Sequence, residues 1–280
     1  MRRPRSGSRH DPRPVGVFDS GVGGLTVVRR LVEYLPHESV LYFGDTARLP
    51  YGSKSRPTVI QFSIENTRWL AEHGVKALVV ACNTSSALAL EVLQRRFDLP
   101  IIGMIAPGVR AALRATRSRR VGVIGTRATI ASHAYRRALR RLDPEVHVFE
   151  RACPMFVPLA EEGWMDHPAA WQVAEEYLAP LRARRVDTLV LGCTHYPLLR
   201  RIIQGVMGPE VRLIDSGEEA ARVTRALLRR SGATAPERQP RHEFYLSDVP
   251  TRFTRFGSVF LGRPLRTVHR VRHEDGGWKL

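Results

Sequence analysis

Val75-Lys76-Ala77-Leu78-Val79-Val80-Ala81-Cys82-Asn83-Thr84 has a second version further along the chain, Val186-Asp187-Thr188-Leu189-Val190-Leu191-Gly192-Cys193-Thr194-His195. In each, an apolar run of strand length ends in a small residue, a cysteine and a polar pair containing threonine. Short apolar runs bounded in this way read as buried strands of a parallel sheet. Ligands of open α/β sheets bind beyond the carboxyl ends of such strands. Both cysteines therefore stand where a site is expected, one in each half of the chain.

The halves match beyond the cysteines. Val15-Gly16-Val17-Phe18 is echoed by Val121-Gly122-Val123-Ile124, and Asp19-Ser20 by Gly125-Thr126. The offset is 106 residues at the first strand and 111 at the cysteines. Between them the pattern predicts strands over 39–43, 100–104, 146–151 and 211–214. Helices are predicted over 58–73, 84–96, 130–142, 168–183, 196–207 and 218–228. A near-constant offset with the same order of elements points to an internal duplication. The expected fold class is α/β, two similar three-layer lobes with the active site in the cleft between them. The glycines of Gly21-Val22-Gly23-Gly24 fit neither nucleotide fingerprint and read as a tight strand-to-helix turn. Beyond 229 the periodicity loosens into a strand over 243–246 and a helix over 251–261, with no catalytic part expected for 248–260.

The chain has 280 residues, 43% of them hydrophobic, enough for one large core or two modest ones. No apolar stretch approaches the roughly 20 residues that cross a membrane. Residues 1–14, with five arginines among Pro and Gly, lack the apolar segment of a secretory signal and read as a disordered basic leader. Residues 263–280 read as a solvated basic tail. Three cysteines, an odd number, argue against a disulfide framework and for a reducing cytoplasm. The net charge of +17 invites a nucleic-acid reading, but the arginines are scattered over helix faces, which argues against specific nucleic-acid binding.

One thiol from each of two lobes suits a racemase. That reaction removes a proton from one face of a carbon and returns one to the other, so it needs an acid/base on each side. A free thiol titrates near about 8.5, within reach of neutrality. Each cysteine precedes a predicted helix, whose N-terminal partial charge would favour thiolate and attract carboxylates. Two other chemistries use the same residues. Cys82, Cys193 and His195 could serve zinc, although Cys-x-His is poor ligand spacing and no fourth ligand is clustered nearby. A cysteine hydrolase with His195 as base leaves the second thiol unexplained. Cys153 lies outside the repeat and reads as structural.

Asp19-Ser20-Gly21-Val22-Gly23-Gly24-Leu25, Gly44-Asp45-Thr46-Ala47, Pro50-Tyr51-Gly52, Ala81-Cys82-Asn83-Thr84 and Gly192-Cys193-Thr194-His195-Tyr196-Pro197-Leu198 together resemble the bacterial glutamate racemases. The resemblance runs in order from about Val15 to Leu228. It implies interconversion of L- and D-glutamate without cofactor or metal, for peptidoglycan synthesis in the cytoplasm. A related activity on aspartate would share both thiols. It implies that Cys82 exchanges the α-proton of D-glutamate and Cys193 that of L-glutamate, assisted by Asp19 and His195. The family's auxiliary glutamate falls on Glu161, with Glu162 adjacent. Substrate contacts would come from Asp19, Ser20, Pro50, Tyr51, Gly52, Asn83, Thr84, Thr194 and His195. The first lobe is expected to comprise 15–105 plus about 210–262 and the second 106–209. The expected partner is glutamate, with no membrane and no nucleic acid, in a chain compatible with a homodimer.

Overall fold

The computed structural model describes residues 10–249, 253–274 and 276–279. Strands β1 (Val15–Asp19), β2 (Val40–Gly44), β3 (Ala77–Val80) and β4 (Ile101–Gly103) lie parallel in the order β2-β1-β3-β4. Strands β5 (Arg120–Gly125), β6 (His147–Ala152), β7 (Thr188–Gly192) and β8 (Arg212–Asp215) repeat that order as β6-β5-β7-β8, again all parallel. The duplication read from the strand pattern is thus a duplication of topology.

Alternation along the strands makes each lobe three layers. Val15, Val17, Ala77 and Val79 enter one core, while Phe18, Leu78 and Val80 enter the core on the opposite face. In the second sheet Val121, Val123 and Val190 face one side, and Ile124, Leu189 and Leu191 the other. A strand buried on both faces has no polar side to alternate with, so these segments read as unbroken apolar runs. From β1 the chain steps to β2 on one side and later to β3 on the other, which opens a crevice at their carboxyl ends. Strands β5 and β7 do the same in the second sheet.

Strand β8 pairs with β7 along its whole length, so a lobe boundary near residue 210 falls too early. The changeover comes at the helix Ser216–Ser231. Its first N–H groups, on Gly217 and Glu218, donate to the Asp215 carboxylate, and it packs on Leu25–Tyr34 of the first half and Ile105–Ala115 of the second. We propose lobe boundaries at about 104 and 216. The first sheet is then extended by β9 (His242–Leu246), parallel to β2, and by β10 (His269–Arg270) beside β9.

The polar joint ahead of β5 is stapled by Asp187. Its carboxylate accepts from the Thr116 hydroxyl (2.6 Å) and from the N–H groups of Arg117 (2.7 Å) and Ser118 (2.6 Å). Partial burial pushes its pKa up, but these hydrogen bonds outweigh burial and hold it at about 2. Asp187→Ala is expected to cost about 1–2 kcal/mol in urea unfolding. The wild-type advantage is complete above the unfolded-state value of about 3.9, and it is lost as pH falls through about 2. An undiminished gap at low pH would argue against the staple.

Both ends of the chain correct the sequence reading. Residues 1–9 of the expected leader lie outside the described residues, but 10–14 are docked. The Asp11 N–H donates to the Thr234 carbonyl, and buried Lys76 donates to the Asp11 carbonyl at 2.7 Å. The expected solvated tail is folded: β10 joins the first sheet, and β11 (Arg272–Glu274) pairs antiparallel with β12 (Gly277–Lys279). Val271 is fully buried, and Leu265 and Trp278 nearly so, so isolated apolar side chains anchor a segment that is otherwise largely polar and charged.

Candidate active site

The carboxyl ends of β1 and β3 in one lobe face those of β5 and β7 in the other across a cavity of about 320 Å³. That volume lies at the small end of the range for ligand pockets. Cys82 follows β3, Cys193 follows β7, and both line this one cavity. Ser20, Pro50, Tyr51, Gly52, Asn83, Thr84, Thr194, His195 and Glu161 line it as well. Asp19 does not; it is buried behind the wall. Cys153 is fully buried and faces the core instead, as its position outside the repeat suggested.

The surroundings of the two thiols differ. Cys82 caps the short helix Asn83–Leu88, accepting from the Ser85 N–H at 3.5 Å, and its sulfur lies 3.8 Å from Ser20 Oγ. The helix N-terminus was expected to lower this thiol's pKa. Burial instead pushes it up to about 11, and the negative charge of Asp19 adds to the rise. Asp19 accepts the N–H groups of Gly21 (3.1 Å) and Gly24 (3.0 Å) through Oδ2, while its buried Oδ1 has no hydrogen-bond partner among the described residues. Burial raises the Asp19 pKa, and the charge of His195 and the backbone N–H donors oppose that rise.

Cys193 does not open an α-helix. Pro197 sits in a 3-10 turn, Tyr196–Leu199, and the α-helix starts only at Arg200, so the helix expected over 196–207 begins late. The charge beside this thiol comes from His195, whose Nδ1 lies 3.7 Å from Cys193 Sγ and 3.4 Å from Thr194 Oγ1. His195 Nε2 donates to Glu161 Oε1 at 2.9 Å. Burial works against the imidazolium, but Cys193 and Glu161 together outweigh it and raise the pKa to about 10. Glu161, rather than Glu162, therefore takes the position beside the histidine. Phe260 packs edge-on against the His195 ring, 5.3 Å between centroids, without lining the cavity itself.

The lobes meet at glycines. A Cβ on Gly23 would overlap Thr194 Oγ1 and lie 2.6 Å from His195 Nδ1, and one on Gly52 would lie 2.7 Å from Thr126 Cβ. The run at 21–24 is thus more than a tight turn: it lets one lobe's backbone reach the other lobe's site residues. Thr26 Oγ1 adds a hydrogen bond to the Thr194 carbonyl at 2.8 Å.

Sequence reasoning missed several lining residues, among them Thr126, Arg127, Val157 and Pro158. Thr126 carried a usable signal, because it occupies the place of Ser20 in the repeat. Its hydroxyl lies 2.9 Å from that of Thr84 and 3.0 Å from that of Thr129, bridging the lobes at the cavity wall. Among the described residues no group of three or more His, Cys, Asp or Glu is placed to hold a metal ion, and no helix is long and apolar enough to cross a membrane.

Residues 15–224 match the profile of the Asp/Glu/Hydantoin racemase family. The chain belongs to this racemase family. A glutamate racemase from Geobacter metallireducens is 53% identical over 260 residues, which is 92% of this chain and 96% of that protein. Glutamate racemase from Francisella tularensis, solved in complex with D-glutamate, superposes with a TM-score of 0.89 at 38% identity, covering 93% of this chain and 98% of that one. The racemase from Thermus thermophilus in complex with β-chloro-D-alanine gives a TM-score of 0.85 at 43% identity, covering 94% and 98%.

Proposed function

We propose that this chain interconverts L- and D-glutamate by two-thiol proton transfer, without a cofactor. The observation that carries the reading is a single cavity lined by two cysteines from equivalent strand ends of a duplicated fold. The glutamate racemases named above, at up to 53% identity, support glutamate over aspartate as substrate.

In the L-to-D direction, the Cys193 thiolate takes the α-proton and becomes a thiol. The electron pair left on the α-carbon is delocalised into the substrate carboxylate. Cys82 gives its S–H proton to the opposite face and becomes a thiolate. The two sulfurs have then exchanged protonation states, and the reverse reaction or exchange with solvent restores them. The carbanion needs donors in a dry site. Ser20, Asn83, Thr84, Thr194 and the loop at Pro50, Tyr51 and Gly52 are the proposed substrate contacts. Asp19, turned onto the Gly21 and Gly24 N–H groups, acts on Cys82 rather than on substrate. When Cys82 is ionised, the nearby carboxylate raises its basicity. His195, held by Glu161, balances negative charge at Cys193. The D-glutamate produced would supply peptidoglycan synthesis in the cytoplasm, where three unpaired cysteines are at home.

The test is deuterium uptake at the α-carbon in heavy water, from each pure enantiomer, with no cofactor added. Uptake accompanying inversion from both glutamate enantiomers is expected, with aspartate slower by orders of magnitude. No uptake from either glutamate enantiomer would sink the proposal.

A further inference from the structure

The substrate loop is held from behind by the end of the chain. Residues 49–53 line the cavity; they comprise the 3-10 turn Tyr51–Ser53 and follow another, Thr46–Arg48, so no sheet ladder fixes them. Their support is a buried polar network. Tyr51 donates its hydroxyl to Asp45 and accepts from Asn66 Nδ2 at 3.1 Å. Arg48 donates through Nε to Asp45 at 2.8 Å, through Nη2 to the Asn66 carbonyl oxygen at 3.1 Å, and also to Glu65.

The C-terminal segment reaches this network from several residues, His273 Nε2 lying 3.5 Å from Glu65 Oε2 among them. Ser247, just past β9, donates to Asp45 Oδ1 at 3.1 Å. Trp278, on β12, donates its indole N–H to the same Asn66 oxygen at 3.1 Å. The Arg48 guanidinium carbon also lies over the Trp278 ring, 4.5 Å from its centroid, and over the Phe62 ring, 3.9 Å from its centroid. A guanidinium held against two aromatic rings is ordered and partly shielded from water, which strengthens its bonds to Asp45 and Asn66. Trp278 itself is not among the residues lining the cavity.

We propose that Trp278 is a positioning residue for substrate binding: through Arg48 and Asn66 it holds the 49–53 loop in the shape that receives the substrate. The site is therefore completed by a segment beyond 224, where the match to the family profile ends. The kinetic part of this proposal rests on the glutamate reading; the loop-ordering part does not.

The test compares wild type with Trp278→Ala, Trp278→Leu and Trp278→Phe in the full chain. Kinetics are measured in both directions, and amide exchange is measured across 45–54. Alanine should raise KM about tenfold for both enantiomers with kcat within about threefold, and speed exchange in 45–54 while β1 and β3 stay protected. Leucine fills the same apolar space without a π face or N–H donor. It should behave like alanine, and it carries the test if alanine does not fold. Phenylalanine keeps a ring over Arg48 and should return KM to within about threefold of wild type. Wild-type KM and exchange in the leucine variant would overturn the proposal, as would exchange accelerated evenly over the whole first sheet. Should wild type racemise nothing, the glutamate reading fails, and the amide-exchange comparison still decides whether Trp278 orders the loop.

Discussion

Cys82→Ala and Cys193→Ala should each lower glutamate racemisation by about 10⁴-fold or more while leaving the far-ultraviolet circular dichroism unchanged. One well-placed acid or base contributes about 10²–10⁴ in rate. Here the loss should reach the upper end, because a lone thiol cannot deliver a proton to the face it does not see. Enantiomers have equal free energy in water, so the equilibrium constant is one. The two values of kcat/KM must therefore fall by the same factor whichever thiol is removed. The double variant should be scarcely worse than either single one, since residues that act as a unit are not additive. What separates the thiols is exchange without inversion. Cys82→Ala should still exchange the α-proton of L-glutamate slowly with heavy water and leave that of D-glutamate untouched, and Cys193→Ala should do the reverse. Chiral chromatography with mass detection reads both quantities. Racemisation near the wild-type rate in either variant ends the two-thiol mechanism, and the opposite exchange pattern ends the assignment of faces.

The parts of this site that were legible in the sequence are those set by local chemistry repeated twice. Strands β3 and β7 are buried on both faces, so each is an unbroken apolar run, and the cysteine after each is fixed by the strand's end. Thr126 was legible in principle, as the counterpart of Ser20. Phe260 and Trp278 were not. Each has partners distant in sequence, His195 for the first and Asn66 and Arg48 for the second. A single indole among charged residues makes no periodicity, so the tail read as solvated although Val271 and Trp278 bury it. The polarity of the two thiol sites was also hidden. A helix N-terminus argues for an easily ionised Cys82, but the depth of burial, which decides the sign, is a property of the closed lobes.

That difference in polarity leads to a pH prediction for His195. Burial alone would keep this imidazole neutral; Cys193 and Glu161 reverse the sign and raise its pKa to about 10. Because the folded value lies above the ordinary one of about 6.5, the proton is held throughout the neutral range and released only as pH rises through about 10. Activity should therefore show an alkaline limb near that pH, because a neutral ring 3.7 Å from the Cys193 sulfur no longer balances its charge. His195→Asn should lower kcat by about 10²–10³-fold, within the span of one acid/base group, and the limb should disappear from its profile. Glu161→Gln keeps the ring but removes one of the two influences that raise its pKa, so its limb should move to lower pH. The same linkage sets stability: the contribution from holding this proton is full below about 6.5 and is lost as pH rises through about 10. Persistence of the wild-type alkaline limb in His195→Asn would assign that ionisation elsewhere and leave the histidine only an uncharged part in orienting Cys193.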